Sequence, residues 1–315
     1  MRDRLERMFQ TPGPERLIEQ PSGLWRGAFR RLLRRKTGVI GLSIIGFMVL
    51  VALAAPLFAP YDPNKVLIGH EENITRRDPP CLHILGCEDE KPQHVLGLDG
   101  NARDEFSRII YGSRVSLSVG FSTVVVAFTI GASLGAIAGF WGGWIDNVIM
   151  RIMDVVLGFP ALLLAIAIVA ALGPGLRNTL LAIAIVSIPA YARVMRASVL
   201  AIKELDFIAA SRALGASSIR ILWTRVIPNA LTPMVVIATL GIATAILDAA
   251  AFGFLGLGAQ EPTAEWGSML ARERNQVFSA PHLVFFPGLA IMITVLGFNL
   301  LGDGLRDALD PSLSE

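Results

Sequence analysis

Residues 114–140 read RVSLSVGFSTVVVAFTIGASLGAIAGF, and this stretch decides the class of fold. It carries one formal charge, at Arg114, and a helix that crosses a bilayer needs roughly 20 mainly apolar residues. The stretch therefore predicts a membrane-spanning helix. Gly131, Gly135 and Gly139 recur at every fourth position, the small-residue pattern that lets two helices approach closely. We expect this face to pack against another helix.

The composition of the whole chain also indicates a membrane protein. Only 17% of the 315 residues are charged and 53% are hydrophobic, with a mean hydropathy of +0.56, whereas a soluble domain carries about a quarter charged residues. Apolar runs of spanning length lie at residues 38–60, 114–140, 152–172, 178–198, 229–255 and 281–301. The sequence therefore predicts an all-α integral membrane protein with six transmembrane helices. The net charge of +2 gives no indication of nucleic-acid binding.

The distribution of positive charge predicts the orientation of the chain. Residues 1–37 contain ten Lys and Arg against four acids, whereas residues 61–112 contain six against ten acids. Because Lys and Arg accumulate on the cytoplasmic side of a membrane, we expect a cytoplasmic N-terminus. The chain then divides into a cytoplasmic segment, a first span, an extracytoplasmic loop, a core of five spans and a cytoplasmic tail, at residues 1–37, 38–60, 61–113, 114–301 and 302–315. A cytoplasmic segment, residues 199–227, interrupts that core.

Residues 24–36, LWRGAFRRLLRRK, predict an amphipathic helix that lies in the plane of the membrane interface. At helical spacing its apolar side chains share one face while arginines fill the other. The apolar face consists of Leu24, Trp25, Ala28, Phe29 and Leu32. A positively charged flank of the first span is the alternative interpretation, and both interpretations place this segment at the cytoplasmic surface of the lipid.

The two cysteines of the chain, Cys81 and Cys87, lie in the predicted extracytoplasmic loop. Two cysteines six residues apart in an oxidising compartment favour a small loop closed by a disulfide. His83 between them and His94 downstream raise a metal site as an alternative, although the spacing matches no common zinc pattern. Free thiols are the third interpretation. We expect a disulfide and no metal.

Several polar residues fall within the apolar runs and need an explanation. A charged or polar group in hydrocarbon costs several kcal/mol unless it is paired or faces water. Asp248 and Asn299 are the clearest cases, and we take them as candidates for lining a translocation path, with hydrogen bonding between helices as the alternative. Pro160 and Pro189 interrupt backbone hydrogen bonding in the third and fourth runs. These features favour a transport protein without identifying what is transported.

Motifs of a self-sufficient enzyme are absent from the sequence. None of the four lysines follows a glycine, so the nucleotide-binding motif GxxxxGK[ST] is not present. The sequence also contains no HExxH, and its one GxSxG match, GASLG (Gly131–Gly135), lies within an apolar run and not at the strand-to-helix turn of a nucleophile elbow. Asp154 and Asp248 are acids placed at or within spans, and they are the residues that a membrane-embedded enzyme would use. That enzyme is the alternative from another class; we expect a non-catalytic membrane subunit.

Residues 206–229, DFIAASRALGASSIRILWTRVIPN, form a small cationic segment between two apolar runs. Glu204 to Leu214 is predicted to be helical, and Gly215 can end the helix in a left-handed conformation. A short helix that projects from a membrane bundle is unstable unless its apolar side is covered. That side is formed by Leu205, Ile208, Ala209 and Leu214. The segment therefore indicates a partner outside this chain.

Ser217 or Ser218 is expected to cap a second helix that continues to Arg225, and Pro228 fits the first turn of the next span. The stretch AASRALG (Ala209–Gly215), with Pro228 thirteen residues after the glycine, resembles the EAA loop of ABC importer permeases. That pattern is EAA, three residues, Gly, nine residues and I-x-LP. Ala210, Gly215 and Pro228 keep its register, and the departures are at Ala209, Ser211, Arg225 and Ile227.

A second stretch of the sequence narrows the resemblance to one group of these permeases. HVLGLDGNARDEFSRIIYGSRVSLSVG (His94–Gly120) is similar to the HPLGTDxxGRDxxSRxxYGxRxSLxxG stretch of dipeptide and oligopeptide permeases, with departures at Val95, Leu98 and Ala102. Further matching stretches follow in order as MRIMDVVLGFPALLLAI, LGPGLRN, PAYARVMR, FGFLGLG and EWGSML. The resemblance extends from about residue 25 to 311 and fits the second of the two permeases in such transporters.

The resemblance implies a type I ABC importer permease fold with a cytoplasmic coupling helix. Residues 199–227, called the coupling segment below, would contact a separate ATP-binding subunit. The residues assigned to this contact are Asp206, Ala209, Ala210, Ser211, Arg212, Ala213, Leu214, Gly215, Ala216 and Pro228. Because Ala209 replaces the glutamate of the family, packing and Arg212 or Arg225 are expected to hold the loop. ATP and Mg²⁺ would bind to the partner subunits, and this chain would hold no cofactor.

Further partners follow from the same resemblance. They are a second permease, two ATP-binding subunits, membrane lipid and an extracytoplasmic substrate-binding protein, in a bacterial inner membrane. Trp266, Met269 and the loop from Tyr61 to Arg108 are the candidate docking surface for the binding protein. An importer of nickel chelates, glutathione or oligosaccharides is the nearest alternative function. A self-contained channel or ion-coupled carrier is the more distant one.

Overall fold

The computed structural model describes residues 24–309, and the chain is mainly helical over this range. The α-helices are α1 (Leu24–Leu32), α2 (Lys36–Leu53), α3 (Ala55–Phe58), α4 (Glu105–Trp141), α5 (Gly143–Leu157), α6 (Ala161–Leu172), α7 (Leu176–Lys203), α8 (Asp206–Ala213), α9 (Ser218–Ile221), α10 (Ile227–Phe254), α11 (Trp266–Glu273) and α12 (His282–Leu309). Short 3-10 turns lie at His83–Leu85 and Arg274–Gln276. Predictions for residues 1–23 and 310–315 lie outside the described residues. The all-α prediction is confirmed.

Five of the six predicted spans coincide with helices that are long and apolar enough to cross a membrane: α2, α4, α7, the continuous helix Ser218–Phe254 and α12. α4 begins before the predicted boundary at residue 114 because Asp104 caps it, its carboxylate accepting a hydrogen bond from the Ser107 amide at 2.8 Å. With 37 residues, α4 is roughly 55 Å long and extends beyond a hydrocarbon core of about 30 Å. α12 likewise continues past residue 301 to Leu309.

The run 152–172 is not the single straight span that its hydropathy predicts. It is divided between α5 and α6, which meet at an angle of 88° and together satisfy the criterion for a span. Pro160 precedes α6 with an extended ψ of 121°. Proline has no amide hydrogen to donate and disfavours helical geometry in the residue before it. The helix therefore ends at Leu157 and restarts at Ala161. Pro189, by contrast, lies inside the uninterrupted α7.

The glycine ladder of α4 packs against α7, as predicted. A Cβ atom placed on Gly131, Gly135 or Gly139 would lie 2.7, 2.2 or 2.9 Å from a backbone oxygen of α7. These distances are too short for any side chain, so glycine is what allows the two backbones to come together. Ala127, Tyr191 and other buried residues continue the core on either side of this contact.

Close backbone packing also joins α2 to α12. A Cβ on Gly41 would lie 2.4 Å from the backbone nitrogen of Leu301, and a Cβ on Gly304 would lie 2.5 Å from the Cα of Gly38. α1 contacts the end of α12, because the Arg31 guanidinium donates a hydrogen bond to the Ala308 carbonyl at 2.8 Å. α1 is helical as predicted, while its contact with lipid stays a prediction.

The ends of the helices form two faces. On one face, the Lys203 ammonium donates a hydrogen bond to the Gly139 carbonyl at 3.1 Å, and the first half of α10 shares a cavity with Arg306 near the end of α12. This face carries the coupling segment. On the other face, the Trp266 indole donates to the Ile109 carbonyl at 3.0 Å and joins α11 to the start of α4. The long loop between α3 and α4 lies on that second face.

Candidate functional site: the coupling segment and the membrane cavity

α8 projects from the helical bundle and is held by one side chain. Ile208 is buried and belongs to the same core cluster as the α4–α7 contact. Gly215 has a φ of +78°, the left-handed conformation predicted for the end of this helix. The Gly215 amide donates to the Arg212 carbonyl at 2.9 Å, and the Ala216 amide donates to the Ser211 carbonyl at 3.1 Å. The chain thus reverses tightly after α8.

Most of the apolar side of α8 faces outward. Leu214 is 88% exposed, and Leu205 and Phe207 are also exposed. Ala209, Ala210 and Ala213 lie on the surface among them, so no large side chain stands between the helix backbone and an incoming partner. Of the four residues predicted to share the apolar side, only Ile208 packs inward. An apolar, shallow and uncovered surface of this kind is suited to contact with another protein.

The second helix of the coupling segment differs from the prediction at its end. Ser217 caps it, its hydroxyl accepting a hydrogen bond from the Arg220 amide at 3.4 Å. The helix does not stop at Arg225 but continues through a π-helical turn at Leu222–Val226 into α10. In that turn the Ile227 amide donates to the Leu222 carbonyl, five residues earlier. The wider turn accommodates Pro228, which cannot donate a hydrogen bond and would crowd the preceding turn of an α-helix.

Buried apolar side chains, and not arginines, anchor the coupling segment. Ile208, Ile221, Leu222 and Val226 are all buried in one core cluster. Among the described residues, Arg212 and Arg225 form no ion pair, and both are exposed. The expectation that one of these arginines holds the loop in place of the missing glutamate is therefore wrong; packing alone does so within this chain.

Asp248 lines a cavity of about 380 Å³ that α4, α7 and α10 enclose. The other polar residues of its lining are Thr123, Ser187, Tyr191 and Thr244. Asn299 is exposed on α12 and does not line this cavity. The structure thus places the two predicted path residues at different locations, and only Asp248 lines this largely apolar, partly open cavity.

Asp154 has a structural partner. Its carboxylate accepts a hydrogen bond from the Arg193 guanidinium at 2.6 Å, which joins α5 to α7. A neighbouring pair does the same, because Arg196 contacts both carboxylate oxygens of Asp146, at 2.5 and 2.6 Å. Asp154 is not in the lining of the cavity that contains Asp248. The two acids that a membrane enzyme would need do not share a site.

The loop between α3 and α4, called the outer loop after its predicted location, is organised around a disulfide and a buried histidine. Cys81 and Cys87 are joined by a disulfide, so their sulfurs are not free to bind a metal. Cys81 pairs with His94 through two backbone hydrogen bonds. The His94 ring contacts Asp104 and Glu71, each at 3.0 Å. Burial alone would lower the pKa of His94, but the two carboxylates outweigh it and raise the pKa above its ordinary value.

A cluster of ion pairs covers the outer ends of the helices, and its role was not predicted. Arg103 is buried and donates to Asp99 at 2.7 Å. Arg108 is fully buried, 3.4 Å from Asp99, and donates to the Pro63 carbonyl at 2.7 Å. Arg77 contacts Glu273 of α11 at 2.7 Å. The block that resembles peptide permeases contains Asp99, Arg103 and Arg108, but only the fold shows that Arg108 joins the loop to α4 and that Arg77 joins it to α11.

Trp266 and Met269 do not form a docking surface. Trp266 is 0% exposed and Met269 is also buried. Trp266 lies against Gly112, where a Cβ would be only 2.9 Å from the indole ring. The prediction for these two residues is wrong, because they lie on the buried side of α11. The remaining part of the expected surface, the loop from Tyr61 to Arg108, stays a prediction.

Comparisons with known proteins add independent findings. The family described as "Binding-protein-dependent transport system inner membrane component" matches residues 131–315. The family described as "N-terminal TM domain of oligopeptide transport permease C" matches residues 23–80. Together the two matches cover most of the chain, including the coupling segment and the α7 and α10 walls of the cavity that contains Asp248.

Three curated relatives are similar over nearly their whole length. The dipeptide transport system permease protein DppC of Alkalihalophilus pseudofirmus is 48% identical, over 92% of this chain and 90% of the relative. The di/tripeptide transport system permease protein DppC of Pseudomonas aeruginosa is 45% identical, over 97% and 98%. The glutathione transport system permease protein GsiD of Pectobacterium atrosepticum is 43% identical, over 92% and 91%.

A solved structure shares the fold. A chain of the MetNI methionine ABC transporter in an inward-facing conformation aligns with a TM-score of 0.53 and 21% sequence identity. The alignment covers 65% of this chain and 97% of that one. At this identity the likeness concerns the fold alone. The shared part is a helical membrane core, and the remaining third of this chain lies outside the alignment.

Proposed function

Because this chain belongs to the family of binding-protein-dependent transport system inner membrane components, we propose that it is the transmembrane subunit through which ATP hydrolysis drives the import of dipeptides or oligopeptides. Its all-helical fold is that of a type I ABC importer permease. The observation that carries the proposal is the uncovered apolar surface of α8, with Leu214 88% exposed beside the left-handed Gly215. That surface is the docking site for an ATP-binding subunit.

The proposed transporter has five components. This chain and a second permease enclose the pathway, two ATP-binding subunits bind ATP and Mg²⁺, and an extracytoplasmic protein delivers the peptide to the outer loop. The coupling segment and the N-terminus are cytoplasmic, in the inner membrane of a bacterium. Closure of the ATP-binding subunits moves α8, and the spans convert the pathway between inward- and outward-facing states. The chain itself performs no catalysis and binds no cofactor.

The substrate is the least constrained part of the proposal. Relatives named for dipeptides and for glutathione are 48% and 43% identical to this chain, so a glutathione-type peptide is the second candidate. Both molecules carry peptide-type bonds and a free amino group. Binding of dipeptides and of glutathione to the cognate substrate-binding protein, measured by calorimetry, separates the two candidates.

Substitution of Gly215 tests the docking site. Gly215→Pro is incompatible with a φ of +78° and removes the amide that donates to Arg212. We expect the variant to insert into membranes but to lose ATP-dependent peptide uptake in proteoliposomes that contain the complete transporter. Copurification of the ATP-binding subunits with the permease pair should fall as well.

Gly256→Pro is the matched control. Gly256 has a φ of +76°, its amide also donates to the carbonyl three residues earlier, and a Cβ there would also meet open space. It lies at the opposite end of α10 from the coupling segment. This variant should still copurify with the ATP-binding subunits. Normal uptake by Gly215→Pro, or peptide flux through liposomes that contain this chain alone, would contradict the proposal.

A further inference from the structure

The cavity that contains Asp248 presents hydrogen-bond acceptors to its interior. Ser187 donates its hydroxyl hydrogen to the Ile183 carbonyl at 2.7 Å, and Thr244 donates to the Leu240 carbonyl at 3.3 Å. Each of these hydroxyls has one hydrogen. That hydrogen is already donated to a carbonyl of the same helix. What remains toward the cavity is lone pairs. The carboxylate of Asp248, when ionised, also only accepts.

One buried side chain in the lining lacks a partner. Thr123 is 1% exposed, and its hydroxyl oxygen forms no hydrogen bond with any of the described residues. A buried hydroxyl without a partner costs free energy, and its hydrogen and its lone pairs are both free for a group that reaches it from the cavity. The observation is independent of Asp248, because Thr123 belongs to α4 and Asp248 to α10.

The cavity lining contains a negative charge and no positive charge. Asp248 is an acid, and the lining contains no Lys, Arg or His. Asp248 forms no ion pair or hydrogen bond within residues 24–309, although a carboxylate inside a membrane is stable only when it is paired or faces water. It lies six residues before Phe254, the last residue of α10, which is roughly 9 Å along the helix axis. The acid is therefore close to the outer entrance of the cavity.

We propose that this cavity is a cation site that binds the protonated amino group of the peptide as it enters the membrane. Asp248 supplies the opposite charge, and the oxygens of Thr123, Ser187 and Thr244 accept hydrogen bonds from the ammonium group. A peptide amino group has a pKa of about 7.7–8.0 and is mostly protonated at neutral pH, with three N–H donors that match the acceptors of Asp248, Ser187 and Thr244. The inference rests on the proposed function, because it names the end of the substrate that this subunit recognises.

Charge-selective labelling tests the site without requiring transport. Thr244→Cys places a thiol one helical turn from Asp248, and the native cysteines are already joined in a disulfide. In the complete transporter, a trimethylammonium methanethiosulfonate should label this thiol about tenfold or more faster than a sulfonate reagent, because a nearby acid attracts the cation. Adding Asp248→Asn should remove most of the preference. Excess dialanine should slow labelling, and N-acetyl-dialanine should not.

Peptide uptake by variants that change the charge at position 248 gives the second measurement. With saturating amounts of dialanine-loaded binding protein, Asp248→Asn should lower the maximal uptake rate by about tenfold, and Asp248→Lys should lower it further. Asp248→Glu should retain uptake within about threefold. The half-saturating concentration of the loaded binding protein should stay constant throughout. Asp303→Asn, an exposed acid on α12 outside this cavity, is the control and should transport normally.

Two results would overturn the cation site: equal labelling rates for the two reagents at Thr244→Cys, or wild-type uptake by both Asp248→Asn and Asp248→Lys. Failure of the proposed function has a different signature. In that case the unsubstituted transporter would show no ATP-dependent uptake of peptide, whereas the labelling preference at the cavity would still be measurable.

Discussion

Ala209 lies on the exposed side of α8, beside Ala210 and one turn before Ala213. The resemblance to ABC importer permeases identifies this position as one where relatives carry glutamate, and the sequence alone suggests that arginines take over its role. The structure assigns that role to Ile208, which is buried under the same helix. A residue pattern can show that an anchor is needed, but which side chain provides it depends on packing against distant helices.

The substitution Ala209→Glu should therefore be tolerated. The side chain would displace none of the buried anchors, the family that this chain resembles carries glutamate at this position of the docking surface, and glutamate is a good helix former. We expect ATP-dependent uptake within about twofold of the unsubstituted transporter, which is within the scatter of an exposed substitution. The matched control is Ile208→Glu, which buries a charge in the core and should abolish uptake. Loss of uptake in Ala209→Glu would contradict the assignment of the anchor.

Among the helices, hydropathy and small-residue spacing predict most of what the structure contains. The ladder Gly131, Gly135 and Gly139 predicts a close helix contact, and α7 supplies it. Hydropathy does not predict the 88° bend between α5 and α6, because an average over a window is insensitive to the local effect of Pro160. The outer ion cluster is also beyond sequence analysis, since Arg77 and its partner Glu273 are 196 positions apart.

Gly135→Ala should destabilise the contact between α4 and α7. The added Cβ would lie 2.2 Å from the Ala192 carbonyl oxygen, so the helices must separate, at a cost of about 1–3 kcal/mol. Gly46→Ala is the control, because Gly46 of α2 is exposed and no atom lies within 4 Å of its Cβ position. It should be neutral or slightly stabilising, since alanine is a better helix former. Thermal unfolding of the purified protein in lipid nanodiscs measures both changes; equal melting temperatures for the two variants would refute the contact.

At the scale of the whole molecule, the two faces differ in how they are built. The face with the coupling segment is held by apolar packing around Ile208 and Ile221. The opposite face is held by charges, a disulfide and the buried His94. Because its charged groups and His94 can titrate, we expect pH to change mainly the stability of the second face. Composition predicts that the outer loop is polar, but it does not predict that ion pairs hold the loop in a fixed position over the ends of the helices.

Stability should decrease as the pH rises through the pKa of His94. The folded state raises this pKa, so the protonated ring stabilises the fold fully below the ordinary value of about 6.5, and that contribution is lost as the ring deprotonates. The melting temperature of the purified protein should therefore fall between pH 6 and pH 8. His94→Asn should reduce this dependence, whereas His83→Asn, whose ring contacts the Lys91 carbonyl and the Gln93 amide, should keep it. Equal pH dependence in both variants would exclude His94 as the cause.

The π-helical turn has a mechanical consequence. Because it joins α9 to α10 without a break, one helix of 37 residues, Ser218–Phe254, runs from the coupling segment past the cavity that contains Asp248. Asp248 is 30 residues from Ser218, or roughly 45 Å along this rod. If a partner subunit makes this helix pivot about Ser218 by about 5°, the Asp248 carboxylate moves by roughly 4 Å. That distance exceeds the length of a hydrogen bond. Under the proposed function, one displacement of the coupling segment would therefore both move the wall of the pathway and release the ammonium group bound at Asp248.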